Sequence, residues 1–77
     1  MNNNLIDYRI NELKKGIRNI ELDFDLYEKK YKIKTPDFYK KYTDGEFEND
    51  IHNSDFMIWS EEFNAYNEYQ NELKQLA

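Results

Sequence analysis

Cysteine is absent from this chain of 77 residues, which excludes disulfide bonds and any cysteine nucleophile. The single histidine, His52, leaves too few strong ligands for a structural zinc site. A chain this short forms one domain at most, and its core contributes only about 3–5 kcal/mol unless something else holds it together. With disulfides and zinc excluded, we expect association with a second chain to supply the remaining stability.

Long apolar runs are also missing. No stretch approaches the roughly 18 uninterrupted apolar residues that suggest a membrane-spanning helix. Residues 1–10 have neither the basic nor the apolar region of a secretory signal. These absences, with the lack of cysteine, predict a cytoplasmic protein that has no membrane partner.

Catalytic and ligand-binding groups are few. Nothing around the two serines and His52 indicates a catalytic triad or an oxyanion hole. Residues 44–55 look superficially like a calcium loop but lack its glycine and its final glutamate. No glycine-rich phosphate-binding loop is present, since the chain has just two glycines. We therefore predict that the protein is not an enzyme and takes neither a cofactor nor a metal ion.

The first part of the chain shows a heptad period. Apolar side chains recur at alternating steps of four and three from residue 6 to residue 31, which predicts a helix over about 4–31. Such a helix is about 40 Å long and needs a partner for its apolar stripe, either within the chain or in a second copy. Leu22 and Leu26 lie off the stripe and predict contact on a second side. We expect a homodimer seam formed by Ile6, Ile10, Leu13, Ile17, Ile20 and Phe24.

Two further helices follow. Thr35 is the predicted N-cap of a short helix over about 36–43, which a glycine ends. Aromatic side chains then step again by three and four and predict a helix over about 54–75. No strand pattern of useful length appears. The chain is thus predicted to be one all-α domain, residues 1–77, whose two long helices pack as a hairpin with a short connecting helix.

Charge is divided unevenly along the chain. Residues 1–42 carry ten Lys or Arg and seven Asp or Glu, whereas residues 43–77 carry one lysine and nine acidic residues. The acidic half would be repelled by phosphate and attracted to a basic surface. Six lysines lie within residues 28–42, but the acidic total and the missing recognition motif speak against direct nucleic-acid binding. Whether the lysines of 29–41 contact nucleic acid stays open at this point.

Aromatic residues are concentrated in residues 55–69, which hold five rings, four acidic residues and no basic one. A single ring at helical spacing is usually part of the chain's own core. The whole set, however, exceeds what two helices can bury between them, and Trp and Tyr are prominent at protein interfaces. We therefore expect this acidic aromatic helix to bind a basic partner protein. The predicted contact residues are Phe56, Trp59, Glu62, Phe63, Tyr66 and Tyr69.

Several short motifs follow one another along residues 26–69. They are Glu28–Tyr31, Thr35–Tyr39, Gly45–Glu46, the acidic run Glu48–Asp50, and Asp55 and Phe56 followed by Trp59. In this order they resemble a family of short prokaryotic proteins that are encoded beside a small toxin and taken to be antitoxins of type II toxin–antitoxin modules. The chain departs from that family at Lys32, where a glycine is common, and before the last helix, where the family is often glycine-rich and acidic.

The resemblance implies that the chain binds and neutralises a small cognate toxin, often an RNA-cleaving one. Our hypothesis is an antitoxin-like protein that covers a basic toxin surface with its acidic aromatic helix. Two alternatives remain open. One is a phage-borne acidic inhibitor that imitates nucleic acid to block a defence nuclease, and the other is a coiled-coil adaptor dimer without inhibitory activity.

Overall fold

The computed structural model describes residues 4–50 and 53–77, so His52 lies outside the described residues. Three α-helices and one 3₁₀ turn follow one another in the order α1 (Asn4–Tyr31), α2 (Thr35–Thr43), the 3₁₀ turn (Glu48–Asp50) and α3 (Ser54–Leu76). No strand occurs in these two ranges. The prediction of an all-α fold, with two long helices and a short one between them, is confirmed.

The two long helices pack against each other in an antiparallel hairpin. At the closed end, the rings of Tyr31 and Phe56 lie 5.0 Å apart between centroids. At the open end, Nη2 of Arg9 donates to a carboxylate oxygen of Glu72 at 2.9 Å. The apolar stripe of α1 therefore faces α3 of the same chain along nearly its whole length.

On one flank of the hairpin, contacts between α1 and α3 recur every seven residues. Two rows of residues, each with a spacing of seven, face each other across the hairpin, and we call them the heptad rows. They are Gly16, Asp23 and Lys30 on α1, and Tyr69, Glu62 and Asp55 on α3. Gly16 lies against the Tyr69 ring, the carboxyl of Glu62 is hydrogen-bonded to that of Asp23, and Nζ of Lys30 lies 2.7 Å from Oδ2 of Asp55. Because a shift of either helix would separate all three pairs, these rows define the register of the hairpin.

The core lies at the closed end, where α2 packs against α3. The rings of Phe38 and Trp59 are fully buried, and Thr35 is buried beside them. Nε1 of Trp59 donates to Oγ1 of Thr35 at 3.1 Å, and that hydroxyl donates to Oε2 of Glu28 at 2.8 Å. This chain of hydrogen bonds links α3 to α2 and α2 to α1, so the buried polar groups are satisfied.

The start of α2 differs from the predicted start by one residue. Thr35 is the first helical residue rather than the N-cap, and Lys34 holds the cap position without a side-chain hydrogen bond. The backbone N–H of Thr35 instead donates to Glu28 at 2.8 Å. A carboxylate from α1 therefore satisfies one of the free N–H groups at the start of α2 and complements its helix dipole.

The predicted dimer seam lies mostly within the hairpin. Leu13, Ile17, Ile20 and Phe24 are buried, whereas Ile10 is half-buried and Ile6 is 43% exposed. The inner part of the stripe is thus covered by the same chain, and only its first turns remain open to another copy. None of the helices, over the residues that the structure describes, is long and apolar enough to cross a membrane.

Candidate partner-binding surface

Two of the rings predicted to contact a partner lie inside the chain's own core. Trp59 is fully buried and Phe56 is 7% exposed. Trp59 stacks on Phe38, and Phe56 packs within 5.2 Å of the same ring between centroids. Neither ring offers surface to a partner in this conformation, so we assign both to the fold and build the candidate surface from other residues.

The other four predicted contact residues, Glu62, Phe63, Tyr66 and Tyr69, are half-buried along the hairpin. Phe63 and Tyr66 both pack against Phe24 of α1, at centroid distances of 6.3 and 5.4 Å. Glu62 and Tyr69 lie on the opposite flank, in the heptad rows described above. The four residues therefore do not form one continuous surface, because two lie on each flank of the hairpin.

An acidic section surrounds the middle of the hairpin, where residues 19–28 of α1 face residues 57–66 of α3. We call these two segments the acidic band. They contain no Lys or Arg and six acidic residues: Glu21, Asp23, Asp25, Glu28, Glu61 and Glu62. A surface of one sign attracts partners of the opposite sign and repels phosphate. The sequence pattern identified the acidic half of the chain but missed that residues 19–28 join it in space.

The acidic band also contains exposed hydrophobic side chains. Leu22 and Leu26 are 58% and 66% exposed on α1, and Met57 and Ile58 are 48% and 44% exposed on α3. They account for four of the seven large hydrophobic side chains that are exposed in the described residues. Leu22 and Leu26 lie one helical turn apart, so they form an exposed apolar pair beside the carboxylates, a combination found at protein-binding surfaces.

A groove opens on one side of the acidic band, between α1, the start of α2, and α3. We call it the acidic groove, and its volume is about 450 Å³. Three rings and three carboxylates line it, together with Thr35 and Pro36. The rings are Phe24, Phe63 and Tyr66, and the carboxylates are Glu21, Asp25 and Glu28. These acidic residues follow one another at steps of four and three, which places them on one face of α1.

The carboxylates of the groove differ in how they are held. Burial alone would raise the pKa of Glu28, but the N–H and hydroxyl of Thr35 and the ammonium of Lys34 outweigh it, so this pKa is lowered. Glu28 is therefore charged and fixed. Glu21 and Asp25 are exposed and take part in none of the ion pairs or hydrogen bonds between side chains of the described residues. These two carboxylates are open to a ligand.

The opposite flank contains a pair of like charges. Burial first, and then the hydrogen bond and negative charge of Asp23, raise the pKa of Glu62 to about 7. Two carboxyl groups in contact cannot both ionise freely, so the carboxyl of Glu62 keeps its proton in moderately acidic solution. Next to it, the hydrogen bonds that Asp55 accepts from Lys30 and Tyr31 lower the pKa of Asp55.

The lysine-rich segment is partly neutralised within the chain. Of its six lysines, Lys30 pairs with Asp55, Lys34 lies 3.7 Å from Glu28, and Lys41 lies 3.7 Å from Glu46. These pairs reduce the positive field of residues 28–42. Within the two described ranges, no three His, Cys, Asp or Glu side chains are arranged to hold a metal ion.

Comparison with known proteins adds no relative to this description. No protein-family model, no curated protein and no solved structure matches the chain.

Proposed function

We propose that the chain is a non-enzymatic, antitoxin-like protein that binds a small basic partner, such as an RNA-cleaving toxin, and neutralises it by covering its surface. The acidic band carries this proposal. It combines six carboxylates with four exposed hydrophobic side chains and contains no basic residue. A cytoplasmic location, where such a toxin would act, belongs to the same proposal.

The two components of the band have different roles in this binding. Carboxylates steer a basic partner toward the surface and discriminate against acidic ones, whereas affinity at protein interfaces comes mainly from a few well-packed apolar and aromatic groups. Leu22 and Leu26 lie one helical turn apart on α1, and we expect them to supply the apolar contact that gives affinity. Trp59, by contrast, contributes by holding the hairpin in shape.

Dimerisation is part of the proposal and is confined to the open end of the hairpin. Leu5, Ile6 and Tyr8 are exposed there, at the start of the heptad stripe. We expect two copies to associate through these first turns, since the inner seam residues already pack within the chain. Sedimentation of the wild-type chain beside an Ile6→Lys variant tests this contact, and a wild-type monomer at all concentrations would contradict it.

The binding proposal is tested by co-expression with the product of the gene adjacent to the one that encodes this chain. We expect that product to be toxic alone, and to be harmless and co-purified when this chain is present. A Leu22→Ser and Leu26→Ser double variant should fold, because both side chains are more than half exposed, but should lose neutralisation.

The matched control is Asn67→Ser with Asn71→Ser, which changes two exposed residues one turn apart on α3 outside the band. It should neutralise like the wild type. Full neutralisation by the leucine variant, or an adjacent gene product that is harmless alone, would contradict the proposal. Binding to a nuclease that weakens steeply as salt is added would instead favour the nucleic-acid mimic.

A further inference from the structure

We infer that the acidic groove holds an arginine side chain of the basic partner. This inference rests on the proposed function, because it names the group that the acidic band would recognise. The groove brings together the rings of Phe24, Phe63 and Tyr66 with three carboxylates on one face of α1.

A positively charged ligand fits this lining for two separate reasons. The face of an aromatic ring is negative and attracts a cation that lies within about 6 Å of its centroid. Glu21 and Asp25 supply charge that is unpaired in the described structure and exposed at the rim. An anionic or purely apolar ligand would leave these carboxylates uncompensated, so the lining selects for a cation.

Arginine suits the groove better than lysine. Its planar guanidinium can stack on a ring while its N–H groups donate to carboxylates in a forked arrangement. It is also more weakly hydrated than an ammonium group, so it enters a partly apolar groove with a smaller loss of hydration. Lysine can satisfy the charge but not the stacking.

The groove has room for a long side chain of the partner. Its volume of about 450 Å³ lies toward the lower end of the range of roughly 300–1,000 Å³ that ligand pockets span. Glu28 is already fixed by Thr35 at one end. A guanidinium would therefore meet the free pair, Glu21 and Asp25, while its aliphatic part lies along the rings.

The experiment uses the full chain and two peptides, hexa-arginine and hexalysine, with affinities measured by calorimetry and contacts followed by amide NMR shifts. We expect hexa-arginine to bind more tightly and to shift the amide signals of the groove residues. The variant Glu21→Gln with Asp25→Asn removes two charges from the groove and should weaken hexa-arginine binding by about fivefold or more.

The matched control is Asp7→Asn with Glu68→Gln, which removes the same charge from exposed positions outside the acidic band. It should change the affinity by about twofold or less, the size of a screened, exposed charge effect. If both double variants weaken binding equally, the attraction is diffuse and the inference is wrong.

Three other results would also overturn it. We expect hexalysine to bind more weakly than hexa-arginine, so equal affinities would contradict recognition of a guanidinium. Failure of hexa-arginine to bind would show that the groove is not a site for a guanidinium. Self-association that is lost in the Glu21→Gln and Asp25→Asn variant would assign the groove to a second copy. The peptide experiment uses no toxin, so its outcome is independent of the proposed function. If hexa-arginine binds the groove but the chain does not recognise the adjacent gene product, the proposed function is contradicted and the inference about the groove is not.

Discussion

The indole ring of Trp59 lies flat on the phenyl ring of Phe38, with centroids 3.8 Å apart and planes 6° from parallel. Both residues are fully buried, and they join α3 to α2. Phe38 also packs against Phe56 and Phe47 at 5.2 and 5.9 Å between centroids. Phe38 is thus the ring through which the short helix is held to the hairpin.

Replacing Phe38 with alanine should therefore remove a large part of the stability. Truncating a buried phenylalanine costs about 3–5 kcal/mol, which is comparable with the whole stability of a domain this small. We expect the midpoint of urea unfolding, followed by circular dichroism, to fall far below that of the wild type. Met57→Ala, at an exposed position, should change it by no more than about 0.5 kcal/mol. Equal midpoints for the two variants would refute the core assignment.

The pair formed by Asp23 and Glu62 predicts that stability decreases as the solution becomes neutral. The pKa of Glu62 is about 7 in the folded chain against 4.5 as its ordinary value. Between these values the folded state binds a proton that the unfolded state does not, so the free energy of unfolding falls as pH rises through this window. We expect a loss on the order of 1–3 kcal/mol, since one pKa unit corresponds to about 1.4 kcal/mol.

The measurement is the midpoint of thermal unfolding at about pH 5 and at about pH 8, because most of this titration takes place between these two values. Glu62→Gln should remove most of the difference, because an amide cannot ionise. Glu61→Gln is the matched control, since it deletes the same charge from the exposed neighbour and should keep the difference. An unchanged pH dependence in the Glu62 variant would show that the carboxyl pair does not cause it. In more acidic solution, the lowered pKa values of Glu28 and Asp55 predict a separate loss of stability.

The sequence was a good guide to the helices and a poorer guide to the surface. Helical spacing identified the ring positions of α3, because spacing reports which side of a helix is apolar. It could not tell a core ring from an interface ring: Trp59 is buried by Phe38 of α2, which is 21 positions earlier in the chain. The acidic groove was missed for a related reason, since Glu21 and Asp25 meet Tyr66 only after the hairpin forms.

Lys32, the residue after α1, is a position where a substitution should stabilise the fold. Lys32 has a positive φ of 59°, the left-handed conformation that follows many helices and favours glycine. Its N–H donates to the carbonyl of Glu28 at 2.9 Å, as expected at such a helix end. Lys32→Gly should raise the free energy of unfolding by about 0.5–1 kcal/mol, because glycine has no Cβ to strain this conformation.

Urea unfolding of Lys32→Gly should be compared with that of Lys29→Gly, which removes the same charge inside the last turn of α1. Lys29→Gly should lower the free energy of unfolding by about 1 kcal/mol, the usual penalty for glycine in a helix interior. Opposite signs for the two variants would support the assigned backbone conformation, whereas destabilisation by both would count against it.

Gly16 gives the last prediction, because it lies under the ring of Tyr69. A Cβ at this position would stand 3.0 Å from Cε2 of Tyr69, closer than ordinary van der Waals contact. In an open helix Gly→Ala gains about 1 kcal/mol, but here the ring would have to move. We therefore expect Gly16→Ala to bring no gain in the wild type and to recover about 1 kcal/mol in a Tyr69→Ala background.

A double-mutant cycle in urea measures this coupling directly, since the two residues are in contact and their effects should not add. The coupling tests the register of the hairpin as well as the contact. Gly16 and Tyr69 occupy the same heptad rows as Asp23 with Glu62 and Lys30 with Asp55, so a register shifted by one turn would separate all three pairs. Additive effects of the two substitutions would mean that the ring does not lie on Gly16 and that the helices pack in another register.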